Sequence, residues 1–311
     1  MLILAAFAFA LFAGYRFLYG NDVTRVRHIT NDETPITAQS AGATATTEPA
    51  SVSSPEGTPL APVTKPVSSP RTSSSAQPGT AAAGLPVTAK RPHRPELAII
   101  IDDCGQYLDV ERALVALPIP LTMSVLPGVA YTHLIANEAH AAGKGVMMHL
   151  PMETLSGLYP GPGEITTEMS DDEIELQVRR DLEQVPLATG VNNHEGSKAS
   201  ADDRVMRDVS AVLAQDHEFF IDSRTNGASV AMRDAHEDGI PTAERDVFLD
   251  GKQQEWYSQQ MLSHAADIAV EHGSAIAIGH PHPTTLAAIR AEIPKLRARG
   301  ITLTLAQSLV Q

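Results

Sequence analysis

From Pro95 to Gln311, short apolar runs alternate with longer stretches of helical periodicity, and this alternation limits the possible folds more than any other feature of the chain. Leu97–Ile101 (LAIII), Leu121–Leu126, Gly145–Met148, Gly190–Asn193, Phe219–Ile221 and Ser274–Ile278 (SAIAI) read as strands. A weaker strand is expected near Arg245–Phe248 and a last one at Ile301–Leu305. Helical patterns fill the intervals at 108–117, 132–142, 170–185, 202–215, 230–237, 256–271 and 284–299, and Ser170-Asp171-Asp172-Glu173 is a capping box for the third. Strand–helix alternation of this kind means a parallel sheet, and seven or eight units predict closure into an α/β barrel, with an open doubly wound sheet as the alternative. The stretch DDCGQYLD after the first strand has neither dinucleotide nor Walker spacing, so no nucleotide cofactor is expected.

Upstream of Pro95 the physics changes. Of the 56 residues from Thr34 to Ala89, 43 are Ser, Thr, Pro, Ala or Gly and none is aromatic, so the stretch cannot bury enough apolar surface to offset its conformational entropy. Residues 21–94 are therefore expected to be a disordered linker, extended by its prolines. Residues 1–20 open with the apolar run Met1–Ala13, closed by Gly14, Tyr15 and Arg16. That run is short of the ~20 residues of a membrane span, although Phe17–Tyr19 extend it if Arg16 snorkels. A hydrophobic signal or membrane anchor joined by a tether to a domain at 95–311 predicts export to the periplasm or cell envelope, or anchoring in the inner membrane. Contact with a membrane is expected only through the first segment.

The domain itself carries 15 Lys and Arg against 32 Asp and Glu, a balance of −17. Such a field repels phosphate-rich polymers, which argues against nucleic acid and ranks a phosphoesterase below other hydrolases. One cysteine makes no internal disulfide and no thiolate zinc cage, while 12 histidines leave an imidazole–carboxylate metal site open. Cys104 and the pair Met147, Met148 are expected to be packing residues.

The polar residues fall at telling places. Asp102 and Asp103 follow LAIII directly, His149 follows GVMM, and His194 comes three residues after Val191. Asp222 follows FFI, and His280 follows SAIAIG. In a parallel barrel these are C-terminal strand ends, which converge on the face where such barrels hold their sites. Neighbouring residues leaving a strand point in opposite directions, so one of the two aspartates is expected to ligate a cation while the other faces substrate. Asp103, His149 and His194 make a carboxylate and two imidazoles, a ligand set typical of catalytic zinc with a position left for water.

These segments resemble the divergent polysaccharide deacetylase family. The resemblance rests on IIIDDCG (99–105), MHLPME (148–153), GPG (161–163), GVNNHEGS (190–197), FIDSRT (220–225), RDVFLD (245–250) and IAIGHPHPTTL (276–286). It implies a distorted (β/α) barrel of the polysaccharide deacetylase type, with Asp102 as catalytic base, Asp103 and His149 as metal ligands and His280 as general acid. The superfamily's second motif is H-x-x-x-H, and here its second histidine is replaced by Glu153. His194 or Glu153 must then complete the site, and His194 is preferred because it preserves the charge of an Asp-His-His centre. NNHEGS also replaces the usual arginine-containing third motif. Asn192, Asn193 and Arg224 are expected to bind sugar hydroxyls or orient carboxylates, and Glu153, Asp222 and His282 to support the ligands from behind.

The function expected from these residues is metal-dependent removal of acetyl groups from an envelope polysaccharide or related glycan, with a divalent metal, expected to be zinc, as cofactor. The partner is a carbohydrate polymer or oligosaccharide. The competing expectation is a catalytically inactive glycan-binding or scaffolding module, favoured by the altered second and third motifs and by a domain with only eight aromatic residues for sugar stacking.

Overall fold

The computed structural model describes residues 94–311. The expected hydrophobic segment, and the expected linker apart from Arg94, lie outside the described residues. Among those described, no helix is long and apolar enough to cross a membrane.

The described residues form nine strands and seven α-helices, one strand more than the sequence predicts, and the two kinds alternate except where β6 runs directly into β7. The strands are β1 (Glu96–Cys104), β2 (Thr122–Val125), β3 (Gly145–Met152), β4 (Gly190–Glu195), β5 (Phe219–Asp222), β6 (Thr242–Glu244), β7 (Val247–Phe248), β8 (Ser274–Gly279) and β9 (Thr302–Thr304). The helices are α1 (Leu108–Val115), α2 (Thr132–Ala141), α3 (Asp171–Gln184), α4 (Asp203–Asp216), α5 (Ala231–Glu237), α6 (Glu255–His272) and α7 (Pro283–Ala298). Every pairing is parallel, in the order β6-β5-β4-β3-β2-β1-β8-β7, with β9 added beside β1.

The two ends of that order are consecutive in the chain. Only Arg245 and Asp246 separate β6 from β7, and their amides reach opposite edges: Arg245 N donates to Asp222 O and Asp246 N to Ile276 O, both at 2.9 Å. One extended segment, 242–248, therefore bridges the sheet's edges and curls it into a distorted barrel. The expected weak strand near Arg245–Phe248 is this bridge, starting three residues earlier.

Strand alternation sorts the apolar residues into two cores. Leu97, Ile99, Ile101, Met123, Val125, Met148, Val191 and Phe220 pack outward against the helices, in a cluster with Leu114, Ile135, Val178 and Leu213. Ala98, Ile100, Met147, Phe219, Ile221, Ile276 and Ile278 pack inward, closed at one end by Ala306 and the C-terminal Leu309 and Val310. Burial on both faces explains why β1 reads as an unbroken apolar run. Each fully buried Leu, Ile or Met contributes roughly 1.5–3 kcal/mol relative to exposure. The inner core is narrow: Gly190 stands opposite Phe219 in the β4–β5 register, and a Cβ on Gly190 would lie 2.5 Å from the Phe219 ring.

Candidate active site

The inward parity that places Ala98, Ile100, Met147, Ile276 and Ile278 in the lumen carries on into Asp102, His149 and His280 at the same strands' C-terminal ends. The strands run further than the apolar runs suggest. β1 continues through Asp102 and Asp103 to Cys104, and β3 and β4 include His149 and His194 rather than stopping before them. By parity alone Asp103 would face outward with Ile101. A bulge between Ile101 and Cys104 prevents this, and Asp103 adopts a left-handed backbone (φ 56°). Both carboxylates then face one centre: His149 Nε2 lies 3.6 Å from Asp102 Oδ2 and 3.3 Å from Asp103 Oδ1. The expected opposition of the two aspartates is thus corrected by the bulge.

In the β3–β4 register His149 stands beside Asn192 and Pro151 beside His194, which brings both imidazoles to Asp103. His194 Nδ1 is 2.9 Å from Asp103 Oδ1 and 3.1 Å from His149 Nε2. Three donor atoms held 2.9–3.3 Å apart have about the mutual spacing of ligands bound ~2.0–2.2 Å from one cation. Asp103 Oδ1 is buried without a hydrogen-bond partner, a costly arrangement for an oxygen that no cation uses. These residues fit a divalent metal. Burial acts to raise the Asp103 pKa, but the adjacent His149 and His194 imidazoles outweigh it and hold the carboxyl well below the usual range. For His149, burial works against protonation and the adjacent Asp102 and Asp103 more than compensate, raising its pKa.

Asn192 governs the orientation of this group. It is fully buried; its Oδ1 accepts from His149 Nδ1 (2.9 Å) and from Ser124 Oγ, and its Nδ2 donates to Asp102 Oδ1 (2.9 Å) and Ser223 Oγ (3.0 Å). With Nδ1 donating, the His149 lone pair is left on Nε2, facing Asp103 and His194. The substrate contact expected of Asn192 is replaced by this positioning role, since no amide atom is left over. Asn193 is equally buried: its Oδ1 accepts from Ser223 N (2.8 Å), and its Nδ2 donates to Glu195 O and Thr225 Oγ1. It shapes the wall with its amide already engaged.

His280 enters from the opposite side. Its Nδ1 donates to Asp250 Oδ1 (2.9 Å), which leaves Nε2 3.9 Å from Asp103 Oδ2. Asp250 is fixed in turn by His280 N (2.6 Å) and Thr285 Oγ1 (2.8 Å) at Oδ2. Burial alone would lower the His280 pKa, but the Asp250 hydrogen bond and charge raise it to about 9, so its imidazole is protonated at neutral pH. Motif spacing assigns Asp250 no role, although it ends a strand-like run, RDVFLD, just as Asp222 ends FFID.

The remaining expected residues go elsewhere. Asp222 follows the outward-facing Phe220 in parity and lies behind the sheet, where it accepts from Arg224 N (2.7 Å) and Ser229 Oγ (2.7 Å). It fixes the Arg224 backbone and touches neither the Arg224 guanidinium nor His280. Glu153 lies past the end of β3, bound by Lys198 Nζ (2.7 Å) and by the amide and hydroxyl of Thr167. It ties two loops together outside the donor triangle, and His194 occupies the third position. His282 is held by Gln253 at 3.1 Å, and it forms with Asp250 and His280 the second cluster of potential ligands among the described residues.

The cavity above these groups has a volume of about 390 Å³ and is lined also by Glu195, Ser223, Arg224, Thr225, Arg245 and Phe248. Arg245 donates to Ser223 O (2.7 Å) and Arg224 O (3.0 Å) and lies over the Phe248 ring, which packs edge-on to His280. Of the four non-glycine residues with positive φ among the described residues, three line this cavity: Asp103, Glu195 and Arg224. Backbone strain of this sort persists where surrounding structure enforces it and clusters at functional sites.

Residues 99–310 match the family model described as divergent polysaccharide deacetylase. The chain belongs to that family. Proteins similar to it include the uncharacterized protein YibQ of Escherichia coli K12, 39% identical over 215 residues, spanning 69% of this chain and 67% of YibQ. An uncharacterized Haemophilus influenzae protein is 36% identical over 201 residues, spanning 65% and 72% of the two chains. Among solved structures, the uncharacterized protein ATU2773 from Agrobacterium tumefaciens C58 aligns with a TM-score of 0.67 at 21% identity, over 70% of this chain and 90% of that one, and so shares its fold.

Proposed function

We propose that this divergent polysaccharide deacetylase is a metal-dependent hydrolase that removes acetyl groups from a glycan of the cell envelope. The observation that carries the reading is the pairing of a three-donor pocket, Asp103, His149 and His194, with the Asp102 carboxylate on one side and the Asp250-clamped His280 imidazole on the other. What a divalent cation supplies when held there is Lewis acidity: it polarises a carbonyl and lowers the pKa of water.

The chain's own residues account for the rest. Asp102, fixed through Oδ1 by Asn192, keeps Oδ2 free to take the proton of an attacking water. His280, clamped through Nδ1 by Asp250, delivers a proton from Nε2 to the leaving amine or alkoxide. The two proton-handling groups reach the same cavity from β1 and β8, which pair directly. The Arg224 guanidinium, 3.4 Å from Glu244, stands at the rim where sugar hydroxyls would pass. Envelope localisation rests on the sequence of residues 1–94 alone.

The test is acetate release from N- and O-acetylated oligosaccharides, with chelator and after restoring zinc. Release that is chelator-sensitive and lost in Asp102→Asn is expected. Glycan binding without release under every metal condition would instead support a non-hydrolytic module.

A further inference from the structure

Four lysines lie among the described residues, and three of them meet oxygen. Lys144 Nζ donates to the carbonyls of Leu117 and Ile119, Lys198 pairs with Glu153, and Lys295 with Glu292. Lys252 differs. Its Nζ lies over the rings of Tyr257 (5.4 Å) and Trp256 (6.0 Å), and no Asp or Glu oxygen of the described residues comes within 4 Å, in a domain where acids outnumber bases about two to one. The closest acid in the helix that follows, Glu255, is engaged by Gln259 Nε2 (2.8 Å).

This ammonium is joined to the catalytic cavity by a short, well-fixed rim. Phe248, a cavity residue, packs on His280; a Cβ on the neighbouring Gly251 would touch both Phe248 and the Tyr257 hydroxyl; Gln253 holds His282. Trp256 and Tyr257 are packed edge to face, 5.9 Å between centroids, and Trp256 is 56% exposed. Aromatic faces of this kind suit the apolar faces of sugar rings, and an ammonium resting on them lacks the anionic partner that it would ordinarily have.

We propose that Lys252, Tyr257 and Trp256 form an outer subsite for a carboxylate-bearing sugar, adjacent in the glycan to the acetylated sugar in the cavity. The ring stacks on the aromatic pair and its carboxylate meets Lys252 Nζ. The negative charge of the domain does not forbid this, because fields from charges beyond about 10 Å are largely screened at 0.1 M salt, leaving the local cation to decide. The subsite rests on the glycan reading above and narrows it to an acidic polymer.

Trp256 is the chain's one tryptophan, so its fluorescence reports on the subsite directly. The full chain is titrated with hyaluronan tetrasaccharide, in which N-acetylglucosamine alternates with glucuronic acid, and with neutral chitotetraose, while acetate release from chitotetraose is followed in parallel. The acidic probe is expected to change the Trp256 emission saturably and to bind about fivefold tighter than the neutral one, the strength of one exposed charge pair. Lys252→Met should abolish that preference and Lys252→Arg should retain it. Equal affinities for the two probes, an unchanged preference in Lys252→Met, or no response of Trp256 to either probe would overturn the subsite. Acetate release without the preference sinks the subsite alone, whereas the preference without release sinks hydrolysis and leaves the subsite standing.

Discussion

Replacing Asn192 tests whether one amide aligns the whole site. The residue has no exposed surface and makes four hydrogen bonds, to Ser124, His149, Asp102 and Ser223. Asn192→Ala leaves the His149 Nδ1–H and the Asp102 carboxylate without their partner in a buried setting. A buried polar group stripped of its partner costs about 1–3 kcal/mol, more if charged, while the two hydroxyls can rotate toward other acceptors. A loss of about 3 kcal/mol is therefore expected for the metal-free protein, a large share of the ~5–15 kcal/mol that holds a domain folded. Because His149 would no longer be held in the Nδ1–H tautomer, zinc affinity should fall about 10- to 100-fold. Asn192→Asp should be more damaging still, since it sets a second carboxylate where the amide now meets Asp102 Oδ1 at 2.9 Å. Urea unfolding with chelator gives the first quantity and calorimetric zinc titration the second. A stability change under 0.5 kcal/mol together with unaltered zinc affinity would refute the positioning role.

Three further outcomes are expected. Gly190→Ala should destabilise by about 1–3 kcal/mol, as overpacking does, and Phe219→Ala in the same chain should recover part of the loss; additive losses in a double-mutant cycle would count against the contact. Asp181 is buried against Gly163, with Gln177 bonded to Oδ1 and Oδ2 unpartnered, and burial raises its pKa from 3.8 to about 7. The native state therefore holds this proton more tightly than the unfolded chain, so stability falls as pH rises between about 4 and 7 and then levels off. Asp181→Asn should remove that fall and exceed the parent at pH 8 by on the order of 2–4 kcal/mol; parallel pH–stability curves would contradict this. The Cys104 thiol is fully buried, which pushes its pKa up, so thiol reagents should modify it only after denaturation.

The strands and helices were legible because β1, β3 and β8 carry apolar runs dense enough to mark them, and the capping box at Ser170 fixes the start of α3. The meeting of Asp102, His149 and His280 was legible for the same reason, since parity extends from the apolar residues into the polar ones. Three features were not. The bulge that turns Asp103 inward depends on how Cys104 pairs with Val125, which local sequence does not reveal. The choice between Glu153 and His194 depends on the β3–β4 register. The use of Asn192 inside the protein rather than toward a sugar depends on Ser124, Asp102 and Ser223 arriving from three other strands or their ends, a set of long-range contacts. Asp222 supports the site only from behind: it follows Phe220, whose side chain faces the helices, and it holds the backbone amide of the cavity residue Arg224.

The most direct measurement is elemental analysis of the purified full chain beside Asp103→Asn, His149→Ala, His194→Ala and Glu153→Gln. One equivalent of a divalent cation in the parent and in Glu153→Gln, with loss from each of the other three, is the predicted result. A cation retained by His194→Ala but lost from Glu153→Gln would contradict the Asp103–His149–His194 centre.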